Sequence, residues 1–200
     1  MALWRDISVL DEAKCEIAVN SQKYLLDWIA SKNIGIAVIH ASAEPIEAHE
    51  RQDRMNKATE NIKLLGAYAR ERGVVLALEN LPRSCVGNCA ADMLALTDHG
   101  KNASMCFDVN HLLLESHKEF YEKVAPYVVT THLSDYDKID ERHWIPGDGC
   151  IDWAELTGLF EKYNYTGRFI FELNEGNSPK LGRVFSPAEL VERFNEIINN

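Results

Sequence analysis

Apolar positions change period repeatedly along this chain of 200 residues. Ile17, Tyr24, Leu25, Trp28 and Ile29 recur near helical spacing within 11–31, which predicts a helix. IGIAVIH (34–40) comes next, a short continuous apolar run with β-branched residues, and reads as a strand. A long helix is expected over 46–72, with Ile62, Leu65 and Ala69 on one face and Gly73 as its stop. VVLALEN (74–80) is a second strand, 89–99 a short helix ending at His99-Gly100, and SMCFDVN (104–110) a third strand. A helix over about 116–125 leads to the fourth strand, VVTTHLSD (128–135), and a loop rich in charge and glycine fills 136–149. WAELTGLFEKYN (153–164) is helical, RFIFELN (168–174) is the fifth strand, and 187–198 the last helix.

Strands alternating with helices predict parallel βαβ units, hence an α/β fold in one domain spanning 1–200. The strands stay apolar on both faces until their ends, as expected of a parallel sheet covered by helices. No G-x-G-x-x-G turn comes after any strand, so a dinucleotide-binding fold has no direct support.

Those strand ends carry the chemistry. Each apolar run terminates in a residue able to bind a metal: His40, Glu79, Asp108, His132 and Glu172. In a parallel α/β sheet the C-terminal strand ends share one face, where such enzymes keep their active sites. One histidine or carboxylate at a strand end is more often a turn, cap or hydrogen-bonded residue than a ligand. Recurrence at every strand favours a joint site, because buried carboxylates are costly without a cation. The mixed oxygen and nitrogen set suits Mn²⁺, Mg²⁺, Co²⁺ or Zn²⁺. His111 and His143 are further candidates, whereas His49, His99 and His117, in helices or at a helix end, read as surface residues.

Charge narrows the partners. A net charge of −10 and a pI near 5.2 disfavour nucleic acid, which needs a surplus of Lys and Arg on the contact face. No apolar run approaches the roughly 20 residues of a membrane span. The start, MALWRDISVLDEAK, lacks a basic segment leading into an apolar core, so no secretory leader is expected and a cytoplasmic protein is the simplest reading. Five scattered cysteines read as free thiols; Cys85 and Cys89 form a C-x3-C pair without a second pair at zinc-finger spacing.

The stretches VVLALENLP (74–82), CFDVNH (106–111), THLSDYD (131–137), ERHWIPGDGCIDW (141–153) and FIFELN (169–174), with IAVIHAS (36–42), resemble the xylose isomerase-like TIM-barrel superfamily. That group includes sugar phosphate isomerases and epimerases, ketose 3-epimerases, hydroxypyruvate isomerase and endonuclease IV. The resemblance implies that Glu79, Asp108, His132 and Glu172 are four metal ligands converging in one coordination sphere. His111 matches a histidine that contacts substrate in the epimerases or a further zinc in the nuclease. His143 stands where the epimerases tend to have Arg and the nuclease a zinc-binding His, Glu141 where the nuclease has Asp, and His40 at a nuclease zinc ligand. Gly147 and Gly149 would shape the loop over which substrate approaches. Such barrels have eight strands in about 250 residues. Here five are expected, and WRDIS (4–8) resembles the segment just after the third strand of such a barrel, so the first three βα units are expected to be absent.

The implied reaction is isomerisation or epimerisation by proton transfer. The metal would bind the carbonyl and adjacent hydroxyl of an open-chain sugar and stabilise the developing enediolate, while Glu79 and Glu172 take a proton from carbon and return it. A zinc phosphodiesterase of the endonuclease IV kind is the alternative, and a non-catalytic remnant of the fold a third reading. Five strands cannot close a small barrel, so IGIAVIH and RFIFELN are expected as bare apolar edges and the chain as a homo-oligomer, unless residues 1–10 fold back over an edge.

Overall fold

A computed structural model describes residues 6–174, 179–180 and 182–198. Trp4 and Arg5 of the WRDIS segment, and the first half of the 1–10 segment, lie outside the described residues. The chain divides into two compact units, one ending at Cys106 and the other beginning at Phe107.

In the first unit, helix α1 (Glu12–Ser31) starts where the Asp11 carboxylate accepts the Lys14 amide at 3.0 Å. Strand β1 (Ile36–Ile39) is next, then α2 (Arg51–Arg70), β2 (Val75–Glu79), α3 (Ala90–Thr97) and the start of β3 (Ser104–Asp108). β1 and β2 run parallel in a register pairing Ile39 with Leu78, and β2 pairs with β3 so that Glu79 is opposite Cys106. Ile62, Leu65 and Ala69 of α2 are fully buried, as the periodicity predicts, among Leu76, Leu78, Met93 and Leu96. Gly66 permits this approach: a Cβ there would lie 1.8 Å from the Asn102 carbonyl oxygen. α1 departs from expectation. Its buried face is Cys15, Ala18, Val19, Gln22 and Leu26, while Ile17, Tyr24 and Trp28 are exposed.

The second unit holds the end of β3, α4 (His117–Val124), a 3-10 turn (Ala125–Tyr127), β4 (Val128–Leu133), α5 (Trp153–Lys162), β5 (Arg168–Phe171) and α6 (Pro187–Ile198). The sequence Ser116-x-x-Glu119 forms a capping box that opens α4, and Asp152 caps α5 by accepting the Glu155 amide at 2.9 Å. β4 and β5 are parallel, with His132 opposite Ile170. The strand order is β1-β2-β3-β4-β5, the chain order expected of successive βα units. The core here is aromatic: Phe107 stacks on Phe120 at 5.4 Å, Tyr121 meets Phe160 edge-on at 5.1 Å, and Phe194 of α6 closes on Phe169 and Phe171. Removing a ring such as Phe107 would cost about 3–5 kcal/mol through lost burial and the cavity left.

His117 corrects the sequence reading, which places it on the surface. It is buried between Phe107 and Tyr136, and its Nε2 lies 2.8 Å from the Val109 carbonyl oxygen. Burial disfavours the imidazolium and pushes its pKa down, against the smaller upward pull of that carbonyl. His49 and His99 are exposed, as the sequence predicts.

Candidate functional site

In the first unit the register sets the geometry. Ile39 pairs with Leu78, so the next residues, His40 and Glu79, fall side by side as β1 and β2 end. His40 Nε2 stands 3.3 Å from Glu79 Oε2, with Glu79 almost wholly buried and His40 partly exposed.

In the second unit three strand ends bring their residues together. Asp108 is the last residue of β3, His132 lies near the end of β4, and Glu172 comes directly after β5. The Val109 amide donates to the His132 carbonyl at 3.1 Å and the Glu172 amide to the Leu133 carbonyl at 3.2 Å, which keeps the three ends level. His132 Nδ1 is 2.9 Å from Glu172 Oε2 and 3.8 Å from Asp108 Oδ2. One ligand atom from each of the three lies within 4.8 Å of the other two. Two carboxylates and an imidazole at that spacing are a donor set for a hard or borderline divalent cation. Asp108 is oriented from behind, its Oδ1 accepting the Asn110 amide at 2.7 Å.

His111, Glu141 and His143 form a second group, again with ligand atoms within 4.8 Å of one another. His111 bridges the two groups, its Nε2 3.2 Å from Glu141 Oε2 and its Nδ1 3.7 Å from Asp108 Oδ2. The His111 and His143 rings meet edge-on at 5.8 Å. Glu141 reaches this position through a tight turn. The Asp137 carboxylate accepts the amides of Asp140 and Ile139, at 3.0 and 2.9 Å, and the Arg142 Nε at 2.8 Å. The Asp140 amide leads in holding its pKa down to about 2, with Ile139 and Arg142 adding to it. The Arg142 amide in turn donates to Asn110 Oδ1 at 3.1 Å, tying the turn back to the end of β3.

The profile of the xylose isomerase-like TIM barrel matches residues 5–193. The chain belongs to this family. An inosose dehydratase of Bacillus thuringiensis (strain Al Hakam) is 24% identical over 164 aligned positions, covering 72% of this chain and 54% of the relative. The chain thus spans about half the length of the curated relatives it matches. Among solved structures, a D-tagatose 3-epimerase-like protein superposes with a TM-score of 0.80 at 20% identity, over 97% of this chain and 74% of the other. D-Allulose 3-epimerase from Methylomonas sp. does so with a TM-score of 0.80 at 18% identity, over 98% and 73%. These likenesses show the fold.

The sequence did not single out Asn110, Asp135 or Asp137, which support the named residues. Their signal was present but weak: turn-forming Asx residues within four positions of a candidate.

Proposed function

We propose that the chain carries the metal-binding and proton-transfer residues of a sugar isomerase or epimerase. The observation that carries this reading is the grouping of Asp108, His132 and Glu172 at three successive strand ends. Glu79, at the end of β2, is the fourth ligand of the proposal and the partner of Glu172 in proton transfer. A divalent ion of the Mn, Mg, Co or Zn class would supply electrophilic polarisation of a sugar carbonyl. Glu172, half exposed, accepts a proton from the carbon beside that carbonyl; Glu79, buried, returns one. His40 flanks Glu79 and fixes the direction of its carboxylate. His111, Glu141 and His143 bind the hydroxyls of the sugar. The names of the relatives, a dehydratase of inosose and 3-epimerases of tagatose and allulose, support a polyhydroxy ketone as substrate for this chain. The direct test is turnover of a ketose panel with Mn²⁺, measured by sugar chromatography. Conversion that disappears with chelator and with Glu172→Gln supports the reading, and an inert parent chain under every metal and sugar overturns it.

One observation favours a second reading. The His111, Glu141 and His143 group is itself a plausible metal shell, which suits a multinuclear phosphodiesterase of the endonuclease IV kind. The net charge of −10 argues against a DNA substrate. Counting bound metal separates the two: one ion per chain fits the isomerase, two or three fit the phosphodiesterase.

A further inference from the structure

Asp135 lies two residues beyond β4 and is fully buried. A buried carboxylate is costly unless its lone pairs are used, and here four donors meet them. Oδ1 accepts the Tyr136 amide at 2.9 Å and the Ile151 amide at 3.1 Å; Oδ2 accepts the Gly147 amide at 2.8 Å and the Trp153 indole Nε1 at 2.9 Å. The Asp135 backbone adds a two-way bridge to Trp144, at 2.8 and 3.0 Å. One residue therefore grips the 136–153 loop at five points along its length. The grip is close: a Cβ on Gly149 would lie 2.3 Å from Asp135 Oδ1 and 2.1 Å from the Tyr136 carbonyl oxygen.

That loop carries Glu141 and His143. His143 directly precedes the bridged Trp144 and has a φ of 53°, a conformation a β-carbon disfavours. Its neighbours hold it there. The His143 carbonyl accepts the Asn174 amide at 2.9 Å, and its Nδ1 lies 3.2 Å from the Glu172 carbonyl oxygen. A residue kept in a sparse region by its surroundings is characteristic of a preset functional geometry.

We propose that Asp135 is a positioning residue, whose buried carboxylate sets the 136–153 loop so that Glu141 and His143 meet His111 beside Asp108, His132 and Glu172 before any ligand binds. The functional part of this rests on the proposed isomerase site. Preset groups spare a ligand the cost of ordering them, so loosening the loop weakens substrate binding more than it slows chemistry.

The experiment uses the full 200-residue chain, without metal or substrate, as parent, Asp135→Asn and Trp153→Phe. Asn keeps the size of Asp135 but turns donor hydrogens toward N–H groups, and Phe removes only one of the four donors. Amide hydrogen exchange and the ring resonances of His143 and His49 are monitored by NMR. In Asp135→Asn the Gly147, Cys150 and Ile151 amides are expected to exchange at least about tenfold faster, as the loss of one charge-assisted hydrogen bond implies. His143 ring resonances shift while those of His49, exposed in the first unit, stay, and amides of β4 keep their protection. Trp153→Phe gives the same pattern in milder form. If thermal stability drops but the loop amides and the His143 ring keep parent values, Asp135 is only a stability residue and the inference falls. Should Asp135→Asn not fold, Trp153→Phe decides: a loop-confined change supports the proposal and no change overturns it. Where the parent turns over a ketose, KM is expected to rise several-fold more than kcat falls. An inert parent would remove the isomerase reading but leave the loop and His143 readouts intact.

Discussion

Glu172 differs from Asp108 in one respect that would separate their roles in the proposed site: its side chain is half exposed, whereas Asp108 has no exposure at all. A buried carboxylate held by the Asn110 amide is suited to orienting and binding, and an accessible one to exchanging a proton with substrate. Glu172→Gln keeps a carbonyl oxygen but loses the proton acceptor. Under the proposed isomerase reading, ketose turnover is expected to fall at least about 100-fold, the usual worth of a general base, with far-UV circular dichroism unchanged. Turnover within a few-fold of parent would reduce Glu172 to a weak ligand. His117 makes the other residue-scale prediction. Its folded pKa is pushed below the ordinary histidine value by burial. The unfolded chain therefore binds a proton at that residue as pH drops through about 6.5 while the folded chain does not, so stability falls with falling pH. His117→Gln should flatten that part of the profile. Urea midpoints at about pH 5 and pH 7.5, either side of the ordinary histidine value, measure it. Parallel losses in parent and variant would exclude His117 as the source. At this scale the strand-end residues were legible, because an apolar run that stops at a His, Asp or Glu is a local pattern. His117 was not, because its burial depends on Phe107 and Tyr136, distant in sequence.

At the scale of elements, helix caps form where side chain and backbone are neighbours in sequence. Ser116-x-x-Glu119 is a capping box in the structure, the Ser116 hydroxyl accepting the Glu119 amide at 3.2 Å and the Glu119 carboxylate accepting the Ser116 amide at 3.0 Å. Ser116→Ala should cost about 1 kcal/mol, read as a lower urea midpoint at an unchanged slope. Glu119→Ala should also lower the midpoint, and the double variant should lose less than the sum, since each change already breaks the box. Additive losses would mean that the two bonds act independently. Helix α2 shows the limit of local reading. Periodicity carries it back to 46, yet it begins at Arg51. The Ile46 amide is taken by the Ser84 hydroxyl at 3.1 Å, and Arg51 spends its guanidinium on the Ser84 and Cys85 carbonyls at 2.9 Å each. Contacts across more than 30 residues of sequence thus fix where that helix can start. The stripe on α1 was a true helical signal, but which face is buried is a matter of tertiary packing that period alone does not decide.

At the scale of the whole molecule, the sheet order leaves β1 and β5 with one neighbour strand each among the described residues. β1 is apolar throughout and β5 is apolar after Arg168, and neither carries Lys or Pro, which commonly blunt an edge. Their side chains are open as well: Ile36 is 40% exposed, Phe169 40% and Ile170 42%. The exposed stripe of α1, with Tyr24 and Trp28, adds apolar surface to the first unit. Scattered exposed apolar residues need no explanation, but aromatic residues aligned on one helix and unpaired strand edges are features that association removes from water. We therefore expect the 200-residue chain to self-associate through these surfaces. Light scattering at several concentrations measures this, and two variants separate the contributions. Ile170→Lys places a charge on the β5 edge, and Trp28→Glu does so on the α1 stripe. A mass that falls toward that of one chain with Ile170→Lys identifies the strand edge as the contact, and one that falls only with Trp28→Glu identifies the helix face. A parent chain that stays monomeric at high concentration, with a single sharp unfolding transition, would show that neither surface drives association.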